Sequence, residues 1–448
     1  MIIRKILVLI LMLSIIFPAI SSSSTNKSMN ITTSTDDETL ESRLIEDFPY
    51  VGQDDDIHCA YATRTMCIKY LNDNVSFEDI IFHTGCAYSV GYPFKMPPSF
   101  SYEYMPMGGF LISQDIEDAY HLDQIYGMKT SLWYKEINKS TLNWKEYLSR
   151  VKENVSKDIP VTTSVHPLRL LSTKRFFEVP EIIWNYMSSQ KGSGHSIVII
   201  GYNDSNNTIC YNDPAALFFG DTKKGTYVWM DQNDFLYAVN GTSVGFYLIK
   251  STVKISEPIE EKLAFNISHE RNIERLKGNS SRYGNVTDND SKYDINYKFG
   301  INAIDELIEI YNNKSERKYI VKYFNHKSFN YKINKLTGKF SLLLFRAPYR
   351  IEELLTQDWF EKIGIDRKIV ADYLRNNSHL SDRCIFDADL LDKEAEKWFE
   401  LSSVYSKFMK RGPILNKLLA PILINKMAII LEEIKIIEQA IINGPNES

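Results

Sequence analysis

The sequence feature that most constrains the fold is a pair of short apolar segments between residues 196 and 211. Ser196 to Tyr202 is short, rich in β-branched residues and bounded by glycines, which is typical of a buried strand. Asp204 to Asn207 is a predicted turn, and Thr208 to Tyr211 is a second predicted strand. The pattern therefore predicts two adjacent antiparallel strands joined by a tight connection.

Polar residues stand at the open end of this predicted strand pair. His195 directly precedes the first strand, and Asn212 and Asp213 directly follow the second. On adjacent antiparallel strands either of the last two side chains can reach the His195 ring and hold one tautomer of it. We expect Asp213 to take this orienting role, with Asn212 as the alternative.

A cysteine in the first part of the chain completes the candidate site. Cys59 lies where a polar stretch beginning at Gln53 enters a predicted helix, Ala60 to Leu71. The positive end of a helix dipole favours the thiolate form of a cysteine, which is the form that attacks carbonyl groups. The interpretation is Cys59 as nucleophile, His195 as general base and Asp213 as orienter, with Gln53 stabilising the oxyanion.

The segments around these residues resemble the bacteriocin-processing peptidase domains and, more closely, the butirosin biosynthesis protein H type. The motifs that carry the resemblance are Gly194–Tyr202, Tyr211–Pro214, His58-Cys59, Ser76–Phe82 and Gly85–Phe94. The resemblance implies a papain-like fold, acyl transfer through a cysteine thioester, and a glutamine at the position of Gln53. It also implies a peptide, amide or thioester as substrate. One departure is Cys59-Ala60, where the bacteriocin-processing peptidases have Cys-Gly.

The N-terminus has the pattern of a secretory signal peptide. Arg4 and Lys5 precede an apolar run, Ile6 to Phe17, and small residues follow. The run is shorter than the ~20 residues that span a bilayer, so we expect cleavage and secretion, with an uncleaved signal-anchor as the alternative. Numerous Asn-X-Ser/Thr triplets agree with an exported glycoprotein, although an Asn-rich chain also produces unused triplets.

The chain of 448 residues is long enough for two or three domains. We expect an α+β protein with a papain-like cysteine peptidase fold and a mainly α-helical C-terminal domain. The expected segments are a signal peptide (1–22), a disordered linker (23–46), a papain-like cysteine domain (47–253), a polar linker (254–297) and a helical domain (298–448). A net charge of -5 without a basic stripe gives nucleic-acid binding no support.

Five cysteines are too few for a disulfide scaffold, and their odd number leaves at least one thiol unpaired within the chain. Cys59 could still pair with Cys86 or Cys210, which would remove the nucleophile; a Cys86–Cys210 pair or buried free thiols are the alternatives. A zinc site from His58, Cys59 and His195 lacks the paired spacing of zinc motifs, and no metal or cofactor is expected. Six aromatic residues could line a substrate groove or belong to the core: Tyr88, Tyr92, Phe94, Phe100, Tyr102 and Tyr104.

Together these features predict an exported papain-like cysteine hydrolase or acyltransferase that acts through a Cys59 acyl-enzyme. Export favours hydrolysis of a peptide or a cell-envelope substrate over transfer to an amine. The alternative is a catalytically inactive papain-like domain that binds peptides or envelope ligands. A third hypothesis is an exported substrate-anchoring protein in which the helical half of the chain carries the function and the cysteine domain is incidental. The sequence leaves the oligomeric state open.

Overall fold

The computed structural model describes most of the chain beyond residue 40. The described residues are 41–53, 58–88, 90–94, 107–108, 116–137, 141–176, 181–189, 194–242, 246–279, 296–315, 317, 321, 359–410 and 413–445. The predicted signal peptide and most of the predicted first linker lie outside them. Residues 42–44, at the end of that linker, form a strand.

Ten strands lie within the described residues. They are β1 (Ser42–Leu44), β2 (Val90–Phe94), β3 (Met107–Gly108), β4 (Met128–Glu136), β5 (Val161–Val165), β6 (His195–Asn203), β7 (Thr208–Asn212), β8 (Val228–Asp231), β9 (Phe246–Lys254) and β10 (Asn296–Phe299). Seven of them form one sheet in the order β4-β9-β5-β6-β7-β8, with β1 also paired to β6. A smaller sheet has the order β10-β2-β3.

The predicted strand pair lies inside the large sheet, where β6 has neighbours on both sides and every pairing is antiparallel. On one side Val165 of β5 pairs with His195. On the other side Asn212 of β7 pairs with Val198. This register places the start of β6 and the end of β7 at the same edge of the sheet, as the sequence predicts.

Helices pack around the sheet and make up most of the C-terminal half. The first seven are α1 (Cys59–Leu71), α2 (Phe77–Thr84), α3 (Ile116–Tyr126), α4 (Thr141–Ser156), α5 (Leu171–Lys174), α6 (Glu181–Ser189) and α7 (Ala215–Phe218). The later ones are α8 (Gln232–Val239), α9 (Glu261–Leu276), α10 (Gly300–Asn312), α11 (Trp359–Asn376), α12 (Arg383–Lys410) and α13 (Pro413–Asn443). The protein is therefore a mixture of helices and antiparallel sheet.

Local sequence explains the boundaries of α2. Ser76 accepts a hydrogen bond from the Asp79 backbone and the Asp79 side chain accepts one from the Ser76 backbone, which is a capping box. Gly85 ends the helix at φ 71°, a left-handed conformation that favours glycine. The next turn, Cys86–Tyr88, is thereby directed into the core, where Tyr88 is completely buried.

One apolar cluster joins the two halves of the chain. The Phe82 ring of α2 stacks on Phe265 of α9 at 5.1 Å and on Tyr373 of α11 at 4.5 Å between ring centroids. Helix α9 lies within residues 254–297, which we expected to form a polar linker. This segment is instead a helix with many polar residues and a buried apolar stripe that includes Ala264, Phe265 and Ile273.

Most predicted helices and strands are found within a few residues of their expected bounds. The sequence pattern also predicts two short helices at 351–363 and 369–374, and where the structure describes these residues they form one helix, α11. A further helix predicted from the sequence at 339–344 lies outside the described residues. Among the described residues no helix is both long and apolar enough to cross a membrane.

Candidate active site

Cys59 is the first residue of α1. Residue His58 occupies the N-cap without a side-chain capping bond, and the first turn carries no acidic residue. The positive end of the helix dipole therefore acts on the thiol with no acidic side chain in that turn to oppose it. The residue is only 6% exposed, because α1 is buried on nearly all sides. The Thr63 hydroxyl of α1 also contacts the Ser196 hydroxyl of β6 at 2.9 Å.

His195, at the start of β6, connects the thiol with a carboxylate. Its Nε2 atom lies 2.7 Å from Oδ1 of Asp213, the residue that follows β7. The His195 ring also forms a hydrogen bond with the Cys59 side chain. Since Nε2 is engaged by Asp213, Nδ1 is the ring atom available to the thiol. The structure thus brings Cys59, His195 and Asp213 together in one hydrogen-bonded chain.

His195 and Asp213 each stabilise the charged form of the other. Burial alone would lower the pKa of His195, but the Asp213 charge and hydrogen bond, with a further contribution from Cys59, raise it to about 10. Burial would likewise raise the pKa of Asp213, but the His195 charge and the hydrogen bonds that Asp213 accepts bring it below its usual value. At neutral pH the buried pair is therefore an imidazolium next to a carboxylate.

The rest of the fold holds Asp213 in place. Ser172 of α5 donates its hydroxyl hydrogen to Oδ2 at 2.5 Å, and the Ala215 backbone N–H donates to Oδ1 at 3.0 Å. The Asp213 backbone N–H donates to the Gly225 carbonyl at 2.7 Å. A Cβ atom at Gly225 would lie 2.6 Å from the Asp213 carbonyl oxygen, so this close approach requires glycine.

The candidate oxyanion residue, Gln53, is connected to the same turn. Gln53 is buried, and its backbone N–H donates to the Pro214 carbonyl at 3.0 Å. The Tyr50 hydroxyl donates to the Asp213 carbonyl at 2.9 Å, which ties the segment before Gln53 to the orienting residue. The alternative orienter, Asn212, accepts a hydrogen bond from the Tyr227 backbone at 2.7 Å instead. Of these two neighbours, Asp213 is the one bonded to His195.

The other four cysteines are buried thiols outside this arrangement. Burial raises the pKa of Cys86 to about 11 and of Cys210 to about 12, and it also raises the pKa of Cys67 and of Cys384. All five cysteines are free. The disulfides considered for Cys59, and the Cys86–Cys210 pair, are therefore absent, and the alternative of buried free thiols is the correct one.

The sequence did not reveal every residue that supports the site. Ser172 is 41 positions from Asp213, in a four-residue helix without a recognisable pattern. Tyr50, which precedes the first helix, is likewise distant from Asp213 in the sequence. Neither Ser172 nor Tyr50 belongs to a recognisable motif. The zinc set considered from the sequence is not formed, because His58 pairs with Asp366 while His195 pairs with Asp213. Of the six aromatic residues, Tyr88 belongs to the core. The structure describes only the backbone of Tyr92 and Phe94, and the last three lie outside the described residues.

The comparison with known families covers the same part of the chain. Residues 45–237 match the family model described as Peptidase_C39 like family. The matched range includes Gln53, Cys59, His195 and Asp213. Over this range the chain is similar to the Peptidase_C39-like family, which agrees with the expected relation to the bacteriocin-processing peptidases. No curated protein matches the sequence.

Proposed function

We propose that this protein is an exported cysteine hydrolase with a papain-like fold that cleaves amide bonds through a Cys59 acyl-enzyme. The observation that carries the proposal is the hydrogen-bonded chain from Cys59 through His195 to Asp213, with 2.7 Å between Nε2 of His195 and Oδ1 of Asp213. A nucleophile at a helix start, a base on the central strand and an orienter directly after the next strand are the parts that such a reaction needs.

In the first half of the reaction, the Cys59 thiolate attacks the substrate carbonyl carbon and forms a C–S bond. His195, held protonated by Asp213, gives its proton to the leaving nitrogen as the C–N bond breaks. In the second half, His195 takes a proton from water and the resulting hydroxide attacks the thioester. The C–S bond then breaks, the acid product leaves, and the Cys59 thiolate is restored next to protonated His195. Gln53 stabilises the oxyanion in both halves.

The substrate class follows from export and from the chemistry of the acyl-enzyme. A secreted enzyme meets peptides and cell-envelope amides, and water is the abundant acceptor there. The proposal therefore commits to hydrolysis of a peptide or envelope amide. Transfer to an amine passes through the same thioester and differs only in the acceptor.

The burial of Cys59 favours one other candidate function, a domain that binds a peptide or envelope ligand without cleaving it. A thiol that is 6% exposed requires an opening to admit a substrate carbonyl. A binding domain would keep the fold and the hydrogen bonds for packing alone. The two functions differ in the reactivity of Cys59.

The experiment is to alkylate the native protein with iodoacetamide from pH 5 to 9 and to follow each cysteine by peptide mass spectrometry. Cys67 and Cys384 are internal controls, because they are buried thiols with raised pKa values. We expect fast modification of Cys59 alone, and the change His195→Ala should slow it to the rate of those two thiols. The control variant is His83→Gln, because His83 is also a buried histidine with a hydrogen bond, to Ser268, but lies outside the candidate active site.

Two outcomes would count against Cys59 as an activated nucleophile. If Cys59 reacts no faster than Cys67 and Cys384 in the wild-type protein, the binding function replaces the enzyme. If His83→Gln slows Cys59 as much as His195→Ala does, the effect of His195 is general loosening of the fold. Export is tested separately by N-terminal sequencing of the secreted protein, which should begin near residue 23.

A further inference from the structure

A second buried group of reactive side chains lies next to the candidate active site. His58 precedes α1, Cys86 follows α2, and Asp366 lies on α11; all three are at most 2% exposed. Nε2 of His58 is 2.9 Å from Oδ1 of Asp366, and Sγ of Cys86 is 3.5 Å from Oδ2 of Asp366. One ligand atom from each residue lies within 4.8 Å of the other two. The mechanism proposed above uses none of them.

We propose that His58, Cys86 and Asp366 bind a divalent cation of the zinc class. An imidazole nitrogen, a thiolate sulfur and a carboxylate oxygen are the donor atoms that zinc prefers. Zinc bonds of about 2.0–2.3 Å in a tetrahedron place the ligand atoms about 3.3–3.8 Å apart. The three ligand atoms, all within 4.8 Å of one another, would therefore have to approach one another by at most about an ångström.

The charge balance also fits a divalent cation. Binding replaces the Cys86 S–H bond with a metal–sulfur bond and releases the proton to solvent. One thiolate and one carboxylate then neutralise the two positive charges, so a buried site carries no net charge. Calcium and magnesium fit poorly, because they require six or more oxygen ligands, mostly from carboxylates, carbonyls and water.

The arrangement differs from a second catalytic triad. The His58 ring and the Cys86 thiol both contact Asp366, and one ligand atom of each residue lies within 4.8 Å of the other two, so the three side chains form a triangle rather than an extended relay. All three side chains are also more deeply buried than Cys59 and His195. A triangle of donors that converge on one point is the geometry of a metal site.

A metal at this point would connect distant parts of the chain. It would join the residue before Cys59 to the turn after α2 and to a helix of the C-terminal half. We infer a structural role, in which the cation fixes the start of α1 against α11. The proposal does not depend on the activity of Cys59.

The test measures zinc in the full-length protein after purification and after reconstitution with zinc sulfate, by inductively coupled plasma mass spectrometry. We expect one zinc per chain in the wild-type protein. The changes Cys86→Ser and Asp366→Asn should each abolish the bound zinc. Cys384→Ser is the matched control, since Cys384 is a buried free thiol outside the group, and it should keep one zinc per chain.

A second control separates this group from the candidate active site, where Cys59 and His195 could also bind zinc. Cys59→Ala should keep the metal. Loss of zinc in Cys59→Ala, with retention in Cys86→Ser, would assign the metal to the active site and overturn the proposal. Absence of zinc from the reconstituted wild-type protein would also overturn it.

If Cys86→Ser does not fold, the proposal is tested on the wild-type protein instead. Removal of zinc with a chelator should then increase the alkylation rate of Cys86 and leave that of Cys384 unchanged. An equal change at both cysteines, or no change at Cys86, would refute the proposal. Failure of this proposal leaves the Cys59 alkylation result unaffected, and the reverse also holds.

Discussion

The change Asp213→Asn tests the electrostatic account of the candidate active site most directly. It keeps the size of the side chain and removes its charge. Asp213 is the largest influence that raises the pKa of His195, and it acts against burial, which lowers that pKa. Without the carboxylate, burial dominates, and the pKa of His195 should fall below its ordinary value of 6.5.

The size of the effect follows from the two pKa values. From 6.5 to about 10, at about 1.4 kcal/mol for each pH unit, the folded protein favours the protonated ring by about 5 kcal/mol. A group whose pKa is higher in the folded state stabilises the fold fully below its unfolded pKa. That stabilisation is lost as the pH rises from 6.5 to about 10, at up to about 1.4 kcal/mol for each pH unit.

The assay is urea denaturation at several pH values between 5 and 10. The free energy of unfolding of the wild-type protein should decrease as the pH rises above 6.5. In Asp213→Asn this decrease should disappear, and stability should instead increase as the pH rises through 6.5, because the buried ring is then neutral in the folded state. The difference between the two curves removes titrations that both proteins share.

The matched control is Asp158→Asn, which makes the same substitution in a half-exposed ion pair with Arg43. Its pH dependence above pH 6.5 should follow that of the wild-type protein. If the Asp213→Asn curve also runs parallel to the wild-type curve between pH 6.5 and 10, the carboxylate does not hold the proton on His195. The proposed charge arrangement would then be wrong.

Two further predictions concern the support of the site and the core of the helical half. Ser172→Ala removes the hydroxyl bonded to Asp213 at 2.5 Å and should cost about 1–3 kcal/mol in urea denaturation, with slower alkylation of Cys59. Arg367→Met removes the buried partner of Glu394 and Glu438 and should cost about 3–5 kcal/mol, because both buried carboxyl groups lose their hydrogen bonds to the guanidinium.

Each of these predictions has a control in the same chain. Ser205→Ala, at an exposed turn, should change stability by less than about 0.5 kcal/mol. Arg375→Met, on the same helix as Arg367 but in partly exposed ion pairs, should cost less than about 1 kcal/mol. Equal losses for Arg375→Met and Arg367→Met would contradict the role given to burial. A Ser172→Ala protein with wild-type stability and reactivity would show that Asp213 needs no hydroxyl partner.

The local parts of the fold were predictable from the sequence. Ser196 to Tyr202 is β-branched and apolar, and its pattern predicted the central strand to within two residues. The start of α1 at Cys59 and the capping of α2 also follow from short-range patterns. Helix α9 was missed, because only a narrow face of it is apolar and the rest is polar or charged.

The order of Cys59, His195 and Asp213 along the chain predicted a nucleophile, a base and an orienter, and the strand pair predicted that the last two would be neighbours. The choice between Asn212 and Asp213 needed the structure. Side chains alternate across a strand, so the last residue of β7 and the residue after it point in different directions. Asn212 bonds the Tyr227 backbone, and Asp213 bonds His195.

The sequence by itself therefore determined the strand pair, the helix that begins at Cys59, the candidate nucleophile and base, and two candidates for the orienter. These depend on short-range patterns of apolar and polar residues, and on their order. Only the tertiary structure brought Ser172 to Asp213 and placed Cys86 against Asp366, which is 280 residues away. Such contacts arise from the packing of separate helices on a shared core, and local sequence patterns do not predict which distant segments will be in contact.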